Sequence, residues 1–131
     1  MSLLVLDTHA WLWWESDPER LSNTAAALID AADRLGVCTV SCWELAMLTS
    51  RGRIALDRPV KAWVGQALGR ERVEPLTLSV EAAIESAVLP SGRFPGDPAD
   101  RFIYASTRLA GGRLLTRDQR LRGYDPALAV W

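Results

Sequence analysis

The chain is poor in the residues that build covalent or zinc-held frameworks. Of 131 residues only two are cysteine, Cys38 and Cys42, and only one is histidine, His9. With no second Cys pair and no His cluster, neither a disulfide scaffold nor a zinc site is indicated, and buried free thiols are the expectation. Lysine is scarce too, Lys61 being the sole example. No apolar run approaches the roughly 18 residues of a membrane span, and LLVL before Asp7 is too short for a signal-peptide core. A cytoplasmic protein without membrane attachment is therefore expected. Internal repeats, linkers and low-complexity tracts are also missing, and the length suits one domain spanning 1–131.

What remains is ordinary globular material, 49% hydrophobic and 24% charged, far from the composition of disordered chains. The net charge of −1 argues at first against a nucleic-acid partner, because phosphate binding normally leaves a basic footprint. That sum hides a division. Setting aside four acids discussed below leaves the rest of the chain at +3, and Arg101, Arg113, Arg117, Arg120 and Arg122 flank two of them.

Short apolar runs alternate with helical patterns. LLVL (3–6) reads as a buried parallel strand, with Asp7 or Thr8 capping the helix that HAWLWW begins. Apolar residues at 21, 25, 28, 29 and 32 predict an amphipathic helix, with Gly36 as its stop. VCTV (37–40) reads as a second strand, and Ser41-Cys42-Trp43-Glu44 matches a capping box opening a helix to about Ser50. A helix over 60–70, a strand over 73–78 and a helix from Ser79 to Pro90 follow. The Gly/Pro-dense loop 91–98 leads to a helix with Asp97 as N-cap and Pro98 in its first position, ended by Gly111-Gly112. RLLT (113–116) is a fourth strand and ALAV (127–130) a possible fifth. Such alternation predicts a doubly wound α/β domain with a mostly parallel sheet.

Against that frame, Asp7, Glu44, Asp100 and Asp118 each fall where an apolar run gives way to the start of a helix. In a parallel sheet the carboxyl ends of the strands share one edge, so these acids can converge although 37, 56 and 18 positions separate them in turn. Each has an ordinary explanation as a cap or first-turn charge beside a helix dipole. Capping does not explain their joint placement. Clustered carboxylates repel unless a cation joins them, and oxygen donors without convergent His or Cys favour Mg²⁺ or Mn²⁺. That combination suits metal-assisted phosphodiester cleavage.

Asp7-Thr8-His9-Ala10-Trp11, Ser41-x-x-Glu44-Leu45, Asp97-Pro98-x-Asp100-Arg101-x-Ile103 and Leu115-Thr116-x-Asp118 resemble, in order and spacing, the acidic motifs of PIN-domain ribonucleases, and in particular the VapC toxins of bacterial toxin-antitoxin pairs. The resemblance spans Leu3 to Asp118. It implies a PIN-like three-layer α/β/α sandwich with four to five strands. It also implies one or two Mg²⁺ or Mn²⁺ ions held by Asp7, Glu44, Asp100 and Asp118, with RNA cut by activated water to 5′-phosphate and 3′-hydroxyl ends. A homodimer mate and an antitoxin reaching into the acidic groove are the implied partners. Asp97, Thr116, Thr8, Arg101 and Ser41 are supporting candidates, Arg101 for a phosphate contact or a bidentate pair with Asp100.

Two other classes compete. A PIN-like scaffold that binds RNA or protein without cutting would also suit the pattern, although intact acids argue against it. An aspartyl-phosphate phosphotransferase also places an Asp after its first strand. The phosphatase version wants a second Asp where His9 stands, and a receiver wants adjacent early acids and a late lysine. His9 itself reads best as a hydrogen-bonded residue at a helix start. The six tryptophans read as core, interface or base-stacking surface, Trp11 and Trp14 sharing a helix face and Trp43 sharing the helix of Glu44.

Overall fold

The computed structural model describes residues 2–90 and 92–131. Five strands form one sheet in the order β3-β2-β1-β4-β5, and every neighbouring pair is parallel. They are β1 (Leu3–Leu6), β2 (Arg34–Cys38), β3 (Val73–Leu76), β4 (Arg113–Leu115) and β5 (Ala129–Val130). Among the described residues the α-helices are α1 (Thr8–Ser16), α2 (Asn23–Ala31), α3 (Thr39–Ser50), α4 (Val60–Leu68), α5 (Val80–Val88), α6 (Pro98–Leu109) and α7 (Gln119–Tyr124), with a short 3-10 turn at Pro18–Arg20. None is long and apolar enough to cross a membrane.

The continuous apolar strands follow from burial on both sheet faces. Leu4 and Leu6 of β1 point into a core completed by Trp11, Ile29, Leu45 and Trp63 of α1 to α4. The alternate residues Leu3 and Val5 point into a second core with Phe94, Ile103, Tyr104 and Leu121 of the α5–α6 loop, α6 and α7. Period-2 alternation along one strand thus builds the three-layer sandwich.

Several boundaries differ from the sequence expectation. Helix α2 ends at Ala31, and Gly36 lies inside β2 rather than stopping a helix. A side chain there would sit 2.9 Å from Leu76 Cδ1 and 3.3 Å from Leu3 Cδ1. The glycine serves close strand packing, which a helix stop signal mimics. Strand β2 therefore occupies 34–38, and α3 starts at Thr39 with Cys38 as its N-cap. The capping box expected from Ser41 and Glu44 does not form, because both already lie within the helix. Strand β3 stops at Leu76, with Pro75 tolerated because this is an edge strand paired only with β2. The loop expected over 91–98 includes Ser91, which lies outside the described residues. Asp97 caps α6 with Pro98 at its first position, and Gly111, at φ 73°, follows its end as expected. Cys38 and Cys42 are free, and burial pushes the Cys38 thiol up to about 12.

Candidate active site

The carboxyl ends of β1 and β4 adjoin at the point where strand order reverses, which is where open α/β sheets form their crevices. A cavity of about 600 Å³ opens there, and Asp7, Glu44, Asp97, Asp100, Thr116 and Asp118 all line it. Four separated segments thus bring the predicted acids to one place.

Asp7 leaves β1 and caps α1, its Oδ1 accepting from Thr8 N–H at 2.9 Å. Its Oδ2 accepts from the Thr116 hydroxyl at 2.7 Å, while Thr116 Oγ1 accepts from the Asp118 amide at 3.1 Å. The buried threonine therefore ties the end of β1 to the end of β4. Burial raises the Asp7 carboxyl above its ordinary value, opposed by the hydrogen bonds from Thr116 and Thr8. Asp118 caps α7 and pairs with Arg120 at 3.2 Å. Burial pulls its carboxyl up, but the Arg120 side-chain and backbone bonds outweigh it and hold Asp118 below the usual value.

Glu44 stands in the second turn of α3, clear of the helix N-terminus. The Thr8 hydroxyl lies 2.5 Å from Glu44 Oε1 and 2.9 Å from the oxygen of buried Ser41. Having one proton, Thr8 donates to the carboxylate and accepts from Ser41. Burial raises Glu44, the Thr8 bond lowers it, and the charges of Asp7 and Asp97 raise it further.

Asp97 and Asp100 form a reciprocal capping box at α6: Asp100 N–H donates to Asp97 Oδ1 at 3.0 Å, and Asp97 N–H donates to Asp100 Oδ2 at 3.3 Å. Burial, then the charges of Asp7, Asp97 and Glu44, push the Asp100 carboxyl up to about 7. Such mutual repulsion is what a bound cation relieves. Among the described residues no three His, Cys, Asp or Glu side chains close into a ready-made ligand cage; the acids face a shared space instead. The donor set is entirely oxygen and anionic, which fits a hard divalent ion such as Mg²⁺ or Mn²⁺.

Arg101 does not join this group. Its Nε and Nη2 donate to the carbonyls of Ser86 at 3.0 Å and Leu89 at 2.6 Å, so its fork closes the end of α5 rather than pairing with Asp100. An arginine beside an acid in sequence projects from a different helix face, which the linear spacing conceals. His9 is exposed and packs near Trp13, with ring centroids 5.7 Å apart. Trp11 and Trp63 are core, Trp43 is exposed, and Trp13 and Trp131 line the cavity.

Sequence reasoning passed over two features. Gly96 abuts Asp100, where an added Cβ would lie 2.4 Å from Asp100 Cβ and 2.8 Å from Phe94 Cε1. Trp131 enters the cavity wall directly after β5. The only signal for Trp131 was its place after a final strand, and Gly96 was one glycine in a loop dense with turn residues.

Comparison with known proteins agrees with this geometry. The sequence model for the PIN domain matches residues 4–125. Ribonuclease VapC22 of Mycobacterium tuberculosis (strain ATCC 25618 / H37Rv) is 44% identical over 133 residues, covering 100% of both chains. Among solved structures, VapBC2 from Rickettsia felis bound to a promoter DNA fragment gives a TM-score of 0.70 at 13% identity, covering 98% of this chain and 97% of that one. DNA-bound VapBC from Salmonella typhimurium gives 0.69 at 18% identity, covering 100% and 98%. These structural likenesses speak for the fold, while the family match and the full-length relative speak for descent, and the chain belongs to the PIN-domain family.

Proposed function

We propose that this chain, as one domain over 1–131, is a metal-dependent endoribonuclease of the VapC type, the toxin half of a toxin-antitoxin pair. The observation that carries the reading is the meeting of Asp7, Glu44, Asp100 and Asp118 at one cavity. The 44% identity to a ribonuclease named VapC22 supports the substrate class.

In this reading the four acids hold one or two Mg²⁺ or Mn²⁺ ions. When bound, such an ion acidifies water and offsets charge on a phosphodiester. The chain's own part is positioning. Thr116 fixes Asp7 against Asp118, Thr8 and Ser41 fix Glu44, and Asp97 fixes Asp100 through the helix cap. Each support bonds one face of a carboxylate and leaves lone pairs for another partner.

The structural relatives include toxin-antitoxin complexes, which supports a cognate antitoxin whose basic side chain would compete for the acidic cavity. An expected homodimer has a suitable face on α5, where Val80, Ile84 and Val88 are 78%, 64% and 72% exposed at one-turn spacing.

The test is incubation of the purified chain with cellular RNA, with Mg²⁺ or Mn²⁺ against EDTA, beside Asp7→Asn. Cleavage that needs the ion, leaves 5′-phosphate ends and vanishes in the variant is expected. Cleavage indifferent to both EDTA and the substitution refutes the reading.

A further inference from the structure

Besides the acids, the cavity is lined by residues of a different chemistry. Trp13 is half-buried in α1, and Trp131 meets it edge-on with centroids 5.9 Å apart. The Arg117 guanidinium carbon lies 5.6 Å from the Trp13 centroid, and Arg20 lies at the same distance. Trp13, Trp131, Arg117 and Arg122 all line the same space as Asp7 and Asp100.

The neighbouring tryptophan provides an internal standard. Arg70 sits 3.7 Å over Trp14 and is ion-paired to Glu15, which makes a closed stack. At 5.6 Å the guanidiniums near Trp13 are within electrostatic reach but beyond stacking contact. Arg117 has no acidic partner among the described residues. Arg122 donates only to the Arg117 carbonyl at 3.3 Å, and its buried Nε has no partner there either. His9 also lies 5.7 Å from Trp13, so the indole is ringed by loose contacts rather than closed by one stack, and this half-buried ring and two arginines without acidic partners line one cavity, offering a stacking surface and phosphate donors together.

We propose that Trp13 is a positioning residue on which an unpaired base of the RNA stacks, while Arg117 and Arg122 hold the adjoining backbone phosphate, aligning the chain across the acidic floor. This rests on the ribonuclease reading and adds to it a determinant of substrate placement. A base locked in a duplex has no free face for Trp13, so the wall selects for an unpaired nucleotide beside the cut.

The test compares Trp13→Leu, Trp13→Phe and Arg117→Ala in two assays: steady-state RNA cleavage with Mg²⁺, and fluorescence-anisotropy binding of a labelled single-stranded RNA on an Asp100→Asn background. Leu keeps apolar volume without a π-face, so binding should weaken about 5- to 150-fold and KM rise more than kcat falls. Phe should restore most of the affinity, with thermal midpoints confirming that all variants fold. Arg117→Ala should lower the log-log salt slope by about one, which Trp13→Leu should not. RNA with an abasic nucleotide at the stacked position should reproduce the Leu defect in the parent protein.

Leu binding RNA as well as the parent, or Phe failing as badly as Leu, overturns the inference while leaving the nuclease reading intact. A parent protein that cuts no RNA overturns both. If Trp13→Leu alters only the affinity for an antitoxin, the wall belongs to the protein partner and the RNA assignment falls.

Discussion

Thr8→Val is the substitution that most directly isolates positioning from ligation. It keeps the shape and removes only the hydroxyl that links Glu44 Oε1 at 2.5 Å to Ser41 at 2.9 Å. Thr8 and Ser41 are 1% and 0% exposed, so water does not replace the lost partner. Leaving a buried hydroxyl without its acceptor costs about 1–3 kcal/mol, which lowers the thermal midpoint of a domain this size by roughly 3 to 15 °C. The catalytic effect has a separate origin. Glu44 loses the one side-chain bond that holds its carboxylate among the described residues, and removing such a supporting partner typically costs about 10- to 100-fold in activity or metal affinity. Thr8→Ser keeps the hydroxyl and should recover most of the activity. The assays are RNA cleavage against Mg²⁺ concentration and differential scanning calorimetry on the metal-free protein. Full activity at limiting Mg²⁺ in Thr8→Val, with an unshifted midpoint, would refute the claim that this hydroxyl organises the site.

Gly96→Ala should damage the site without touching an acid, because the new methyl collides with Asp100 Cβ at 2.4 Å; a displacement near 1 Å costs about 100-fold in rate, and wild-type kinetics would show that the helix cap absorbs it. Arg101→Ala should lower the thermal midpoint, since two carbonyls at the end of α5 lose their donors, while KM for RNA stays constant; a raised KM with an unchanged midpoint would restore the phosphate-contact reading. The metal-free protein should lose stability as pH rises from about 4 to about 7. Burial and the neighbouring acids push the Asp100 carboxyl from its ordinary 3.8 up to about 7 in the fold, so the folded state holds the extra proton in that window and its advantage is lost as pH passes the folded value. Asp100→Asn should flatten this dependence in urea titrations, and an unchanged slope would remove Asp100 as its source.

Much of this was legible in the chain because the fold uses strong local signals. LLVL is buried on both faces and the two leucines of RLLT are buried, so both segments read as parallel strands without any knowledge of partners. Asp7 and Asp97 each cap the helix that follows them. The errors came where one local signal served a tertiary purpose. Gly36 resembles a helix stop, yet it exists to let Leu76 and Leu3 approach the β2 backbone. Ser41 and Glu44 have capping-box spacing, yet the helix begins at Thr39, and both bond Thr8 from another helix. Arg101 lies beside an acid in sequence and grips a different helix in space.

The relation between capping and the acidic cavity also resolves differently for different residues. Asp7, Asp97 and Asp118 are N-caps of α1, α6 and α7, and Asp100 is the N3 residue of α6. For these, the helix N-terminus and the site coincide because both occur at the carboxyl end of the sheet. Three helices therefore direct their positive ends toward the cavity, which favours carboxylates there and equally favours a phosphate arriving among them. Glu44 gains none of this, since it lies a turn beyond the start of α3. Its carboxylate is held instead by Thr8, which also bonds Ser41, a contact across 33 residues that no local pattern encodes. Backbone geometry places three of the four central acids, while a single buried side-chain network places the fourth. Substitutions in that network should therefore separate the ordering of the site from the stability of the fold more cleanly than substitutions at the caps.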